Sequence, residues 1–209
     1  MCDTRLIPPL CYLTDASAPL PIPEQAERAA QGGARWIQLR HKSLTGADFH
    51  DLACATRERI RPHGAELLIN DHVDVACSIG AYGVHIGQSD GDAREVRERI
   101  GPDAVLGLSI ENIEQIASVP EGRVTYLGVG PVRATPSKTD HAPPIGFDGL
   151  AEIVRNTNHP CLAIGGLGAA DIAQVKATGC AGLAVVSAIA HATDLTLATE
   201  AILKGWEAS

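Results

Sequence analysis

Three observations predict an α/β fold, a single (β/α)8 barrel (TIM barrel) spanning residues 1–209. Short apolar runs alternate with helix-like stretches along the whole chain. The runs are apolar at nearly every position, as strands buried on both faces of a parallel sheet must be. Eight such units fit into 209 residues, the number a compact barrel needs. A doubly wound open sheet is the alternative. It would commonly carry fewer strands, and no G-x-G-x-x-G follows the first run.

The elements follow in chain order. A first strand is expected at Leu10–Thr14, followed by an amphipathic helix at Pro23–Gly32. A second strand at Trp36–Arg40 leads into a helix at Thr45–Arg61, where Thr45 is placed to start the helix. Glu66–Asn70 and Val73–Ile79 form the third strand and helix, Gly83–Ile86 and Asp92–Ile100 the fourth, with Asp92 as the starting cap. Strands at Ala104–Leu108 and Tyr126–Gly130 come next. The longest irregular stretch, Pro131–Phe147, is rich in Pro, Thr and charge and is a candidate substrate-covering loop. The series closes with a helix at Gly149–Asn156, a strand at Cys161–Ile164, a helix at Ala170–Thr178, a strand at Gly182–Val186 and a helix at Leu195–Trp206. No linker or low-complexity segment divides the chain.

Composition narrows the function classes. The net charge of −8 and pI near 5.4 argue against a nucleic-acid partner, which would call for a basic excess. A local cationic pocket is still compatible with that balance. Aromatic residues make up only 3%, so Ala, Val, Leu and Ile must build the core. None of the six cysteines forms a C-x-x-C pair, and most lie in apolar runs, which favours buried, reduced thiols. No run approaches the roughly eighteen apolar residues of a membrane span, and no signal peptide is evident. The expectation is a cytoplasmic protein. A homo-oligomer is compatible with a barrel surface, although no patch in the sequence specifies one.

In a barrel, residues just past each strand converge on the C-terminal rim, where chemistry belongs. Asp71 and Asp90 each follow an apolar run and could hold a hard cation such as Mg²⁺; a helix cap is the competing role for Asn70-Asp71. Gln38, Arg40 and Lys42 alternate along a strand end and can face one side, with guanidinium and ammonium groups suited to phosphate. Ser109 could donate to phosphate or cap a helix before Glu111. Thr135-Pro-Ser137-Lys138 brings hydroxyls and a cation into one loop. The turn Ile164-Gly-Gly166-Leu-Gly168 and the segment Val186-Ser187 follow strands seven and eight, the usual barrel phosphate site. Two anion sites are therefore expected, one for a metal-bound diphosphate and one for a monophosphate. His85 sits inside an apolar strand, where a hydrogen-bonded core role is the default. His41 alternates away from its cationic neighbours and is expected to face outward. No nucleophile constellation is recognisable.

These segments resemble the thiamine-phosphate synthase family over nearly the whole chain, from Tyr12-Leu-Thr-Asp15 to Gly182-Leu-Ala-Val-Val-Ser187. The resemblance rests on Gln38-Leu-Arg-His-Lys42, Ile69-Asn-Asp-His-Val-Asp74 and Gly83-Val-His-Ile-Gly-Gln-Ser-Asp90. It rests equally on Gly128-Val-Gly-Pro131, Thr135-Pro-Ser-Lys138 and Ala163-Ile-Gly-Gly166. It implies a (β/α)8 barrel that joins a pyrimidine diphosphate to a thiazole phosphate, both small-molecule substrates. By the same resemblance, Arg40, Lys42, Asn70, Ser109 and Lys138 contact diphosphate, with Gln38 nearby. Asp71 and Asp90 bind Mg²⁺, and Thr135, Ser137, Gly166, Val186 and Ser187 hold the thiazole phosphate. It also implies dissociation of diphosphate before attack by the thiazole nitrogen, so no strong protein base is needed. The chain departs from the family pattern at His41, where an acidic or polar residue is common. It departs again at Arg133-Ala134, in place of a frequent aromatic-proline pair, and at Ser137, in place of a frequent Thr. A thiazole tautomerase of the same family is the near alternative, and Asp71, Asp90 and Lys138 favour the synthase over it. A non-catalytic phosphate-ligand-binding regulator and a generic sugar-phosphate barrel enzyme are the more distant ones.

Overall fold

Strand formation follows the apolar runs. β1 (Leu10–Leu13), β2 (Trp36–Leu39), β3 (Glu66–Asn70) and β4 (Gly83–Ile86) are succeeded by β5 (Val105–Ile110), β6 (Tyr126–Val129), β7 (Cys161–Ile164) and β8 (Gly182–Val185). The computed structural model describes residues 7–135 and 142–209. All eight strands are parallel and hydrogen-bonded in sequence order, and β8 returns to β1 to close the barrel. The open-sheet alternative is thereby excluded.

Helices α1 (Ile22–Gln31), α2 (Gly46–Ile60), α3 (Val73–Ile79) and α4 (Ala93–Ile100) cross between the first five strands. α5 (Gly146–Arg155), α6 (Ile172–Ala177), the short α7 (Ser187–Ala190) and α8 (Leu195–Ala208) complete the outer ring. Asp92 caps α4 through the Arg94 amide, as expected. Thr45 occupies the corresponding position of α2 with extended backbone, but its side chain makes no capping bond. Two differences from the sequence reading appear around β5. The strand runs on to Ile110, which places Ser109 inside it rather than at a helix start. The crossover to β6 is a 3-10 segment, Ile113–Ser118, capped by Asn112 on the Gln115 amide. Six residues give too short a periodic signal to be legible in the sequence.

Period-two alternation sorts the strand residues between two cores. One set, including Ile37, Leu39, Leu67, Ile69, Val84 and Leu127, packs outward against the helices. The other set fills the barrel: Cys11, Trp36, Leu68, Val105, Tyr126, Leu162 and Ala184. Trp36 lies against Tyr126 with ring centroids 5.3 Å apart. Burial pushes the Cys11 thiol up to about 12, opposed in part by a hydrogen bond with Gln38, and burial likewise pushes Cys161 up to about 12. Among the described residues the five cysteines are free, and no helix is long and apolar enough to cross a membrane.

Candidate active site

The alternation that places Trp36, Leu68 and Val105 in the barrel carries Gln38, Asn70, His85 and Ser109 into it one or two steps closer to the C-terminal rim. Above them opens a cavity of about 260 Å³. Gln38, Arg40, Asn70, Asp71, Asp90 and Ser109, from β2 to β5, line it together with Thr135, Gly166, Val186 and Ser187, from beyond β6 to β8. Residues as far apart in sequence as Gln38 and Ser187 thus share one space.

Each acidic and amide group is held by local bonds. Asp71 Oδ1 accepts from Asn70 Nδ2 at 2.7 Å, and the Asp71 amide donates to the His85 carbonyl at 2.9 Å. Asp71 has φ of +64°, the one positive value at a non-glycine position among the described residues. Strain of this kind collects at functional sites. The residue flanking α3 is His72, whose side chain makes no capping bond, and the Asp71 carbonyl accepts the Val73 amide at 2.9 Å. Asp90 Oδ2 accepts from the Gly87 amide at 2.9 Å, which folds the loop after β4 back on itself. The Arg40 backbone is pinned to Thr14, the residue after β1, its amide donating to Thr14 Oγ1 at 3.0 Å while that hydroxyl donates to the Arg40 carbonyl at 3.2 Å.

His85 is buried, as its sequence context suggests, but it also lines the cavity floor. Its Nδ1 lies 2.8 Å from the Tyr126 hydroxyl and its Nε2 lies 2.9 Å from Ser109 Oγ. Burial raises the Tyr126 phenol well above its ordinary range, so the imidazole is flanked by two protonated hydroxyls. This chain aims the Ser109 hydroxyl, and Gln88 Nε2 ties down the Ser109 carbonyl at 2.6 Å. The signal for it lay in strand register: His85 and Gly107 are directly paired on β4 and β5, and Ser109 is two residues farther along β5.

Lys42 lies elsewhere. β2 ends at Leu39, so the alternation expected to align Gln38, Arg40 and Lys42 does not extend that far. Lys42 lines an adjoining cleft of about 630 Å³ with Asp15, Arg40, His41, Ser187 and His191. His41 faces this cleft rather than outward, and its Nδ1 accepts the Leu44 amide at 3.0 Å and the Ser43 amide at 3.3 Å. Asp15 pairs with His191 at 3.1 Å. Burial opposes its ionisation, but hydrogen bonds from Ser17 and His191, with the charge of His191, hold its carboxyl below the usual value. Arg40, Val186 and Ser187 line both spaces and join them. Ser137 and Lys138 lie outside the described residues.

On the same rim, just past β7, Gly165 (φ +93°) and Gly166 (φ +67°) adopt backbone conformations that other residues resist. A Cβ at Gly165 would stand 2.5 Å from Pro131 Cβ, so the turns after β6 and β7 pack backbone to backbone. Val186 leads directly into α7, which begins at Ser187.

Comparison with known proteins agrees with this geometry. The family model described as thiamine monophosphate synthase matches residues 10–189. A thiamine-phosphate synthase of Albidiferax ferrireducens is 45% identical over 166 residues, covering 79% of this chain and 76% of the relative. One from Vibrio parahaemolyticus is 40% identical over 195 residues, covering 93% and 96%. The solved structure of a thiamine phosphate pyrophosphorylase from Pyrococcus furiosus superposes with a TM-score of 0.86 at 32% identity, covering 95% of each chain. With an eight-stranded barrel whose rim gathers acids, Arg40 and a glycine turn around one cavity, the chain is an enzyme, a transferase, and belongs to the thiamine monophosphate synthase family.

Proposed function

We propose that the cavity transfers a 4-amino-2-methylpyrimidin-5-ylmethyl group from its diphosphate to the ring nitrogen of 4-methyl-5-hydroxyethylthiazole phosphate, giving thiamine phosphate and diphosphate. The observation that carries this reading is that one cavity gathers two sets of groups. Acids, Arg40 and amide or hydroxyl donors come from the ends of β2 to β5, and a glycine turn and Ser187 from the ends of β7 and β8. Two substrates, one diphosphate and one monophosphate, suit two such sets.

Arg40, Asn70, Ser109 and, from the adjoining cleft, Lys42 bind the diphosphate, with Gln38 beside them; Lys138 is assigned to the same task by the family resemblance. Their positive charge and hydrogen-bond donors match the charge that grows on the leaving group. The His85–Tyr126 chain keeps the Ser109 hydroxyl aimed. Asp71 and Asp90 offer hard oxygen donors on one side of a space open to diphosphate oxygens, a donor set that suits Mg²⁺. When bound there, Mg²⁺ would supply Lewis-acid neutralisation of the leaving group. Gly166, Val186, Thr135, Ser137 and Ser187 hold the thiazole phosphate, the backbone donors among them at least in part.

The C–O bond to diphosphate breaks first, and the electron pair leaves with the diphosphate. The pyrimidinylmethyl cation that remains is stabilised by the ring amino group. The thiazole nitrogen then donates its lone pair to the exposed methylene carbon. No proton moves in either step, so the site needs no catalytic base. The tasks of the chain's residues are to stabilise the leaving group and to hold the two reactants in line.

The enzyme is further read as cytoplasmic, a reading supported by free cysteines and an absence of disulfides among the described residues. Its partners are small molecules, and the net charge of −8 argues against nucleic acid. Incubation with both substrates and Mg²⁺ tests the proposal. Thiamine phosphate and diphosphate should appear in equal amounts, and neither should form when one substrate is omitted. Isomerisation of a carboxythiazole phosphate without diphosphate release would favour the tautomerase, and binding without turnover would favour a regulator.

A further inference from the structure

Arg133 stands where the chain departs from the family pattern. It does not line the cavity. Its side chain packs against the β7 turn and Asp171 instead. Arg133 Nη1 donates to Asp171 Oδ1 at 2.7 Å and reaches the Gly166 carbonyl at 3.4 Å. Its backbone amide donates to the Gly165 carbonyl at 3.1 Å. The guanidinium also lies 5.2 Å from the centre of the Phe147 ring. Asp171 is buried, and its second oxygen accepts the Gly168 amide at 2.9 Å. One residue of the β6 loop therefore grips the β7 turn at both ends, with a buried carboxylate as relay.

The peptide geometry gives this grip a direction. In a trans peptide, the C=O of one residue and the N–H of the next point in opposite directions. The carbonyls of Gly165 and Gly166 are both engaged by Arg133, which does not line the cavity. The N–H groups of Gly166 and Leu167, in the same two peptide planes, are therefore turned the other way. Gly165, Gly166 and Leu167 all line the cavity. Such convergent N–H groups make an anion-binding concavity.

We infer that Arg133 and Asp171 form a positioning pair that presents the Gly166 and Leu167 amides to the monophosphate of the second substrate. This inference rests on the assignment of the β7 turn to the thiazole phosphate. Asp171 offsets the charge of Arg133, and the guanidinium sits outside the cavity. The pair therefore acts by fixing two peptide planes and not as a direct phosphate ligand.

The test compares Arg133→Ala, Arg133→Lys and Asp171→Asn with the unaltered enzyme. KM for the thiazole phosphate is measured at saturating pyrimidine diphosphate. Binding of inorganic phosphate is measured by calorimetry in saturating magnesium diphosphate. Arg133→Ala should raise that KM about tenfold and weaken phosphate binding by about as much, the scale of one partly solvated charge-assisted contact. The kcat and the KM for the diphosphate should stay within about twofold, as expected for loss of uniform binding. Arg133→Lys keeps a charge on Asp171 but lacks the fork, and should recover part of the loss. Asp171→Asn combined with Arg133→Ala should be no worse than Arg133→Ala alone. An unchanged KM in Arg133→Ala would overturn the inference, as would a parallel change in kcat and both KM values. If Arg133→Ala does not fold, the milder Arg133→Lys must still shift the thiazole-phosphate KM selectively, or the inference fails. Absence of turnover in the unaltered enzyme would refute the proposed reaction, whereas the phosphate titration would still decide the role of this pair.

Discussion

Replacing Gly107 with Ala tests whether the cavity floor is as tightly built as its geometry requires. Gly107 lies in the middle of β5, and an added Cβ would stand 2.3 Å from His85 Nδ1, 2.4 Å from Tyr126 Cζ and 2.6 Å from Tyr126 Cε1. No real Cβ tolerates such distances. Neither neighbour can step aside, because His85 is 7% and Tyr126 1% exposed. Overpacking a filled core costs about 1–3 kcal/mol. Forcing His85 and Tyr126 apart also strands a buried imidazole nitrogen or hydroxyl, which costs about 1–3 kcal/mol more. A destabilisation of about 2–6 kcal/mol lowers the melting temperature of a chain of this size by about 4–24 °C. Ser109 loses its partner in the same event, so KM for the diphosphate substrate should rise as well. The assay is thermal unfolding with and without magnesium diphosphate, with Gly168→Ala as the stability control. At that position the nearest atom to the new Cβ is 3.5 Å away, and the effect should stay within about 0.5 kcal/mol. A Gly107→Ala protein melting within a degree of the original would refute the packing argument.

Further outcomes follow from single residues. Asp71→Ala should lower turnover on the order of 100-fold and flatten its Mg²⁺ dependence; unchanged kinetics across a Mg²⁺ titration would remove Asp71 from the metal site. Asp71→Gly should be as inactive as Asp71→Ala but more stable by about 1 kcal/mol, because only glycine accepts the φ of +64° without strain; urea unfolding of the two variants measures the difference. Asp15→Asn should cost about 1 kcal/mol at neutral pH, the scale of a charge-assisted hydrogen bond. The folded carboxyl lies below its ordinary value, so the contribution is present above the unfolded carboxylate's pKa. It is lost as pH falls through the folded value, so the two proteins should converge in acid when stability is followed against pH. Maleimide at pH 7 should label exposed Cys77 and spare Cys11 and Cys161 until the protein unfolds, since both buried thiols are pushed up to about 12.

The barrel was legible because its strands are buried on both faces. Each then appears as an unbroken apolar run, and β3, β4 and β7 begin and end where the sequence places them. Periodicity failed where it had too little length to act on, as in the 3-10 crossover before β6. The convergence of Arg40, Asn70, Asp71, Asp90 and Ser109 on one rim also followed from the fold alone, once residues past strand ends were known to share it. What alternation could not settle was direction beyond a strand end. Lys42 and His41 sit after β2 has ended, and both face the adjoining cleft. The His85–Ser109 contact is a matter of register between neighbouring strands, which no single run encodes. The Arg133–Asp171 contact spans 38 residues and two loops, beyond the reach of any local pattern.

The central claim is that Asp71 and Asp90 gather a divalent ion and a diphosphate on the same side of the cavity. Loading the enzyme with Mn²⁺ in place of Mg²⁺, adding diphosphate, and recording the phosphorus hyperfine coupling to the metal reads this contact without any need for turnover. The account predicts a strong coupling that disappears in the Asp71→Ala, Asp90→Ala double variant. Manganese bound equally well in the double variant, or bound with no coupling to phosphorus, would contradict it.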